Sequence, residues 1–445
     1  MKKFFLFLFP LTLVVSGCLV VDNPFSGLPP GPRRAVLKLE GNMQIPEEDL
    51  GLFEIPEIKD EAIKSGELPF TFEVKYKEND PDVFGLEIIN GEERIEVLPK
   101  DISFGWDHRI GKDTLTINFP IFESYIKGIY AENIIQGYWV VTTKENYRIP
   151  FEAKFGQNHR FAKMLKEPEM NVDGKWEVTF EVETDSPYKA IGEFQQDGHK
   201  LTGTFLTETG DYRFLEGTVR EDKLFLSCFD GSHAFLFQAK MMEDGTLTGQ
   251  FNSGKHYQCL WTAKRNPDFQ LRDPHELTYL NEGYDKFAFA FKNTEGNIVS
   301  SEDENFQGKV KVIQIMGTWC PNCLDETKFL IDYLKENDHP DLAVVAMGFE
   351  KHDEAQNIEL LKNFKDRLNI PYEVLFAGSS KKAEAAKALP MLNHIMSYPT
   401  LILIDKKDQV RKIHTGFAGP ATSEYETFKK GFEETVKMLL EENVE

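Results

Sequence analysis

Between Gly174 and Arg265 the sequence falls into eight short apolar runs separated by turn residues, and this rhythm restricts the fold more than any other feature. The runs cover residues 176–182, 190–194, 201–206, 213–218, 224–228, 234–239, 247–251 and 257–263. Asp197-Gly198, Asp230-Gly231 and Asp244-Gly245 stand between runs, where a chain reversal needs residues that tolerate turn geometry. Many short strands at regular spacing predict antiparallel sheets, closed as a barrel or packed as a sandwich, over residues 171–266.

Residues 35–170 carry the same kind of pattern and are expected to form a β-rich domain or half-barrel. Leu68-Pro69-Phe70-Thr71-Phe72-Glu73-Val74 alternates apolar and polar, as a half-buried strand must. Residues 86–97 read as two strands around Asn90-Gly91, a hairpin signal, and residues 115–117 and 138–141 continue the series. Asp113-Thr114-Leu115-Thr116-Ile117 is echoed 109 residues later by Asp222-Lys223-Leu224-Phe225-Leu226, and Gln136-Gly137-Tyr138-Trp139 is echoed 112 residues on by Thr248-Gly249-Gln250-Phe251. A duplicated β unit would produce this, and so would generic strand composition.

After Asn266-Pro267 the pattern changes. Residues 287–291 and 308–316 are apolar strand segments, and the second runs straight into a helical pattern, the mark of a buried parallel strand feeding a helix. Residues 342–347 and 401–404 are further strands, the latter closed by Asp405-Lys406-Lys407-Asp408; residues 354–368 and 423–440 have helical spacing. Alternating elements predict an α/β domain over residues 280–445. At 445 residues the chain is too long for one ordinary core, so the expected class is α+β multidomain, β-rich first and α/β last.

The N-terminus reads as a targeting segment. Lys2 and Lys3 precede an apolar run from Phe4 to Val15, short of the roughly 20 residues a membrane-spanning helix needs. Val15-Ser16-Gly17-Cys18 resembles the cleavage box of bacterial lipoproteins. That resemblance implies a signal peptide at 1–17, lipid on Cys18 and a lipid-anchored, extracytoplasmic protein of the cell envelope. It places the chain on the periplasmic face, and Leu19, which is not acidic, points to outer-membrane sorting. An ordinary secretory signal with an incidental cysteine is the alternative. Residues 18–34, rich in Pro and Gly, read as a tether. The net charge of −22 argues against binding nucleic acid or anionic lipid through charge.

Export bears on the remaining cysteines, because thiols outside the cytoplasm meet oxidising conditions. Trp319-Cys320-Pro321-Asn322-Cys323 lies between the buried strand and the next helix. The spacing puts Cys320 at the helix start and Cys323 one turn inside, close enough to bond. The helix dipole and free backbone N–H groups favour a thiolate at Cys320. A second Cys-x-x-Cys, which a structural zinc site would usually need, is not present, and His339 and His352 lack ligand spacing.

Here the chain resembles the thioredoxin superfamily, in particular its anchored extracytoplasmic TlpA/ResA-type branch, over roughly residues 287–445. The matching residues are Gly317-Thr318-Trp319-Cys320-Pro321-Asn322-Cys323 and, further on, Tyr398-Pro399-Thr400. The resemblance implies that Cys320 attacks and Cys323 resolves, and that Pro399 is a cis-proline facing both. It also sets Trp319, Pro321 and Tyr398 towards the substrate. Thioredoxin's strand carboxylate is replaced by Gln314; the named branch instead keeps a glutamate three residues past the second cysteine, which Glu326 matches. Glu326 is then a partly buried carboxylate able to take the Cys323 proton, or else a first-turn glutamate that merely suits the helix N-terminus. Asp325 reads as solvated.

The implied activity is thiol–disulfide exchange, reducing disulfides of client proteins without a cofactor and drawing electrons from a membrane dithiol partner. Oxidase or isomerase chemistry at the same centre is an alternative within that class. A binding lipoprotein, whose β region holds a ligand or partner, is the alternative outside it. Cys228 and Cys259 are either separate buried thiols or a structural disulfide, and His233 reads as a turn residue.

Overall fold

The computed structural model of the chain describes residues 25–39, 58–337 and 339–443. The expected signal peptide and Cys18, the expected site of lipid attachment, lie outside the described residues.

The first sheet comprises β1 (Gly31–Lys38), β2 (Glu67–Lys77), β3 (Asp80–Asn90), β4 (Glu93–Val97), β5 (Ile102–Asp107), β6 (Lys112–Phe119), β7 (Ser124–Ala131), β8 (Ile134–Val141) and β9 (Arg148–Phe155). Its order is β4-β3-β2-β1-β9-β8-β7-β6-β5, antiparallel throughout, and no ladder joins β4 to β5 among the described residues: a half-barrel. The expected tether extends too far. Gly31 to Arg34 belong to β1, which pairs with β2 and β9 in the middle of this sheet. Leu28 and Arg33 are fully buried, with the Arg33 guanidinium over the Phe155 ring. Pro and Gly suggest coil, but an extended segment flanked on both sides gains ladder hydrogen bonds and burial that outweigh composition.

The second sheet comprises β10 (Gly174–Phe180), β11 (Tyr188–Asp197), β12 (Lys200–Thr207), β13 (Gly210–Asp211), β14 (Leu215–Arg220), β15 (Lys223–Phe229), β16 (Ala234–Met241), β17 (Leu247–Ser253) and β18 (Tyr257–Arg265). β10 pairs with both β18 and β11, β11 with β12, and β12 with β14, so the sheet closes into a barrel with β13 hung on β12. Barrel closure removes the edges at which an open sheet could aggregate. The lumen is packed rather than open: Phe180, Phe205, Phe237, Phe251 and Trp261 are buried in it, with the Phe237 and Phe251 rings stacked 4.2 Å apart. Each such ring contributes about 1.5–3 kcal/mol by leaving water.

The two sheets run in the same strand order, β1 matching β10 through to β9 matching β18. Gly137 and Gly249 hold equivalent places on β8 and β17, and at each a Cβ would collide with a neighbouring strand's carbonyl oxygen, of Lys127 and Gln238 respectively. Shared order plus a shared steric requirement favours a duplicated unit over generic composition. The halves also share a core: Phe225, Phe229, Ala234 and Leu236 on the outside of the barrel pack with Phe70, Trp139 and Phe151 of the first sheet. Cys228 and Cys259 are free buried thiols on β15 and β18, with β16 and β17 between them, so no disulfide braces the barrel.

The third sheet comprises β19 (Ala290–Asn293), β20 (Ile298–Ser300), β21 (Val310–Met316), β22 (Leu342–Glu350), β23 (Glu373–Ser379), β24 (Thr400–Ile404) and β25 (Val410–Thr415), in the order β20-β19-β23-β22-β21-β24-β25. β21, β22 and β23 are parallel, β24 runs against them, and β25, antiparallel to β24, returns to their direction. Helices α1 (Pro321–Glu336), α2 (Glu354–Leu368), α3 (Lys382–Ala388) and α4 (Tyr425–Glu441) accompany this sheet. The strand expected at 287–291 begins only at Ala290, while Phe287 and Phe289 serve as buried anchors before it. With two nine-stranded sheets ahead of the α/β part, the chain is mostly β rather than evenly α+β.

Candidate active site

β21 is buried along its whole length and ends at Met316; four residues later Cys320 caps the N-terminus of α1. Pro321 at the first helical position has no N–H to satisfy and a φ suited to helix entry. The Cys323 backbone N–H donates to Cys320 Sγ at 3.3 Å, a helix-end donor aimed at the sulfur. Across the sheet Ile315 pairs with Thr400, so register alone brings Tyr398-Pro399, just before β24, beside the cysteines. The Tyr398–Pro399 peptide is cis, and Cys320 Sγ lies 3.3 Å from the Tyr398 carbonyl oxygen.

The two thiols differ in environment. Cys320 keeps 8 % of its surface exposed and Cys323 none. Burial pushes the Cys323 thiol well up, reinforced by Cys320 and by the charge of Glu326. Glu326 sits one helical turn after Cys323 and is fully buried, more deeply than the sequence suggests. Its Oε2 accepts a 2.9 Å hydrogen bond from Gln314 Nε2, which also reaches the Cys323 carbonyl at 3.3 Å, and its Oε1 has no hydrogen-bond partner. Thr327 donates to Gln314 Oε1 and fixes the orientation of that amide. Burial raises Glu326 to about 8, only partly opposed by the Gln314 hydrogen bond. This is the condition of a carboxyl that can gain and lose a proton near neutral pH.

Trp319 donates its indole N–H to the Phe349 carbonyl and stands edge-on to Tyr398. Trp319 and Tyr398 are half-buried, whereas Pro321 and Pro399 are buried. Sequence reasoning missed Glu350, at the end of β22. Its carboxylate accepts from both the backbone N–H and the hydroxyl of Thr318, anchoring the turn before Cys320, and burial raises it to about 7. A glutamate closing the apolar run 342–349 was its one sequence signal.

Sequence reasoning also missed the barrel's place over the site. Residues around β13 lie on the cysteine turn: Asn322 Nδ2 donates to the Asp211 carbonyl, and Ser397 Oγ donates to the Thr209 carbonyl at 2.7 Å. A side chain at Gly210 would strike Asn322. Asp325, expected in solvent, instead pairs with Arg213 of the barrel, because the barrel covers that face of α1. Arg213 is buried and also meets Glu93 of the half-barrel at 2.6 Å and Asp230 at 3.6 Å, so one guanidinium ties the half-barrel, the barrel and α1 together. His233 contacts Asp230 at 3.1 Å, and His352 contacts Glu123. Among the described residues, no group of His, Cys, Asp and Glu could hold a metal ion. Nor is any described helix long and apolar enough to cross a membrane.

Residues 265–428 match the family model described as Redoxin. A 137-residue stretch is 26 % identical to the thioredoxin-like protein YneN of Bacillus subtilis, covering 31 % of this chain and 73 % of that protein. A thiol:disulfide interchange protein of the thioredoxin family from Chlorobium tepidum is similar at 22 % identity and TM-score 0.28, over 36 % of this chain and 98 % of its own. A thiol-disulfide oxidoreductase from Bacteroides fragilis is similar at 20 % identity and TM-score 0.26, over 34 % and 99 %. The Redoxin match and the similarity to YneN both concern part of this chain only, and the relative is distant in sequence.

Proposed function

We propose that this chain is a thiol–disulfide oxidoreductase working through Cys320 and Cys323. The observation that carries the reading is the asymmetry of the pair: Cys320 is at the helix end and keeps some exposure, while Cys323 is sealed beneath it beside the buried Glu326. Cys320 as thiolate attacks one sulfur of a disulfide, forming a mixed disulfide and expelling the other half as a thiolate. Cys323 then gives up its proton, with Glu326 the acceptor, and attacks Cys320 Sγ. The Cys320–Cys323 disulfide forms and the second half leaves reduced. Two electrons pass to the client, and an external dithiol must return them. The Tyr398 carbonyl and Pro399 border the space in which the mixed disulfide sits.

The reductive direction, the lipid anchor at Cys18, the place on the periplasmic face of the envelope and the membrane dithiol donor belong to the same proposal. They rest on the sequence resemblance. Against a binding lipoprotein stand the packed barrel lumen and the intact cysteine pair.

Redox titration in glutathione buffers, read by alkylation and mass spectrometry, tests the reading. Cys320 and Cys323 should convert together as a two-electron couple, about 30 mV per tenfold change in the equilibrium, with Cys228 and Cys259 remaining thiols. Conversion of either active-site cysteine without the other would overturn it.

A further inference from the structure

Cys320 does not open onto a broad face. It borders a cavity of about 250 Å³ whose opposite wall is the barrel segment around Thr209, Gly210 and Asp211. That cavity shares Tyr212, His233, Phe235 and Trp319 with a larger cleft of about 540 Å³ between the half-barrel, the barrel mouth and the redox domain. The two together have the size of a small-molecule site, and the hydrogen bonds from Asn322 and Ser397 hold the covering segment down.

The lining of the cleft is aromatic with a cationic rim. Tyr147, Tyr188 and Tyr212 line it, and the exposed Lys144 and Lys351 stand on the rim. Lys351 Nζ lies 4.1 Å from the centre of the Trp319 ring, next to Cys320, and Lys144 Nζ lies 3.1 Å from His256 Nε2. Neither lysine forms an ion pair with a described residue. The carboxylate on the same wall, Glu123, is engaged by His352, and Glu350 is engaged by Thr318. Both lysines are exposed; desolvation still lowers each, Lys351 adding to it at Lys144, while the charges of Glu350, Glu123 and Cys320 oppose it at Lys351. On a chain of net charge −22, two lysines lining one cleft, each over an aromatic ring and neither in an ion pair with a described residue, stand out. They would be stabilised by an anion.

From the cleft, its rim and its continuity with Cys320 we infer that the substrate is a low-molecular-weight disulfide bearing carboxylates, a narrower class than the protein disulfides the resemblance implies. This rests on the thiol–disulfide reading above. The carboxylates meet Lys144 and Lys351 while the apolar part of the molecule lies against the tyrosines and Trp319, which brings a sulfur to Cys320 Sγ. Exchange is then as written above: one sulfur bonds to Cys320, the other departs as a thiolate and takes a proton from water. Cys323 closes the protein disulfide and releases the second thiol.

The test uses the full-length chain, pre-reduced, in single-turnover reactions at low ionic strength. Disulfides of similar skeleton and different charge are compared: 3,3′-dithiodipropionate (anionic), 2-hydroxyethyl disulfide (neutral) and cystamine (cationic), with insulin as the protein disulfide. Each rate is divided by that of free dithiothreitol, to remove intrinsic reactivity. The normalised anionic rate should exceed the neutral one by about tenfold or more, the cationic rate should be slowest of the three, and insulin should be slower than the anionic probe. In the double variant Lys144→Gln, Lys351→Gln the anionic-to-neutral ratio should fall to near one, and Lys144→Arg, Lys351→Arg should restore it. A failure to reduce even the neutral disulfide would sink the exchange reading, and this inference with it. Reduction of the neutral disulfide with no charge preference, or insulin reacting faster than the anionic probe, would overturn this inference and leave exchange standing.

Discussion

Replacing Glu326 with Gln removes a single ionisable group from beneath Cys323 at nearly constant shape. With Glu326 held at about 8 by burial, only about one molecule in ten carries the base form at pH 7. If that form takes the Cys323 proton, the decay of a mixed disulfide on Cys320 should rise about tenfold between pH 7 and 9 and then level off. In Glu326→Gln decay should be slower by about 10²–10⁴-fold at neutral pH, and its pH dependence should move up to follow the buried Cys323 thiol alone. Formation of the mixed disulfide should change far less. Stability offers an independent readout. The carboxyl binds its proton more tightly folded, at about 8, than at its ordinary 4.5. The native state therefore holds the extra proton between those values, and stability falls as pH rises through that window. The full difference amounts to about 5 kcal/mol. Glu326→Gln should lack this slope and so gain on the wild type by pH 9, less about 1–3 kcal/mol for a buried amide short of a partner. Stopped-flow measurement of mixed-disulfide formation and decay, beside chemical denaturation at pH 5, 7 and 9, reads both. Wild-type decay in the variant from pH 6 to 9 would refute the proton-acceptor role. A pH slope equal to that of the wild type would refute the burial argument.

Arg213→Met should cost about 3–5 kcal/mol in chemical denaturation, because it leaves Glu93, Asp230 and Asp325 facing one another without their shared cation; a change below about 1 kcal/mol would show the three-way contact to be energetically idle. Cys18→Ala should abolish lipid labelling and release the protein from membranes, and normal labelling in that variant would remove the anchor from the account.

What could be read from the sequence was what local chemistry determines. The eight runs of 171–266 stand out because each barrel strand turns apolar residues onto the packed lumen while the turns between strands do not, and a buried parallel strand such as β21 stands out as an unbroken apolar run. The cysteine turn and Tyr398-Pro399 were legible for the same reason: each is a short motif whose residues act on their neighbours. What was not legible depends on partners distant in sequence. Nothing around Asp325 announces Arg213, which lies more than 100 residues away in the loop between β13 and β14, and the solvated reading failed on that account. The tether was misread because composition at Pro29, Pro30 and Gly31 does not reveal that β2 and β9 close around the segment that follows. β23, α3 and β25 passed unnoticed because each is only six or seven residues long, too short for its periodicity to stand above its surroundings. The covered cysteine site belongs to the same group. Nothing local to Thr209, Gly210 and Asp211 indicates that they meet Ser397 and Asn322 beside the cysteines.

The central claim is that Cys320 attacks and Cys323 resolves, and single-cysteine trapping tests it most directly. Reduced Cys323→Ser and Cys320→Ser proteins are each incubated with a disulfide and quenched in acid, and the adduct is located by mass spectrometry. The account predicts a stable mixed disulfide on Cys320 in the Cys323→Ser protein and none in the Cys320→Ser protein, whose remaining Cys323 is fully buried. An adduct on Cys323 at a comparable rate, or none in either variant, would contradict it.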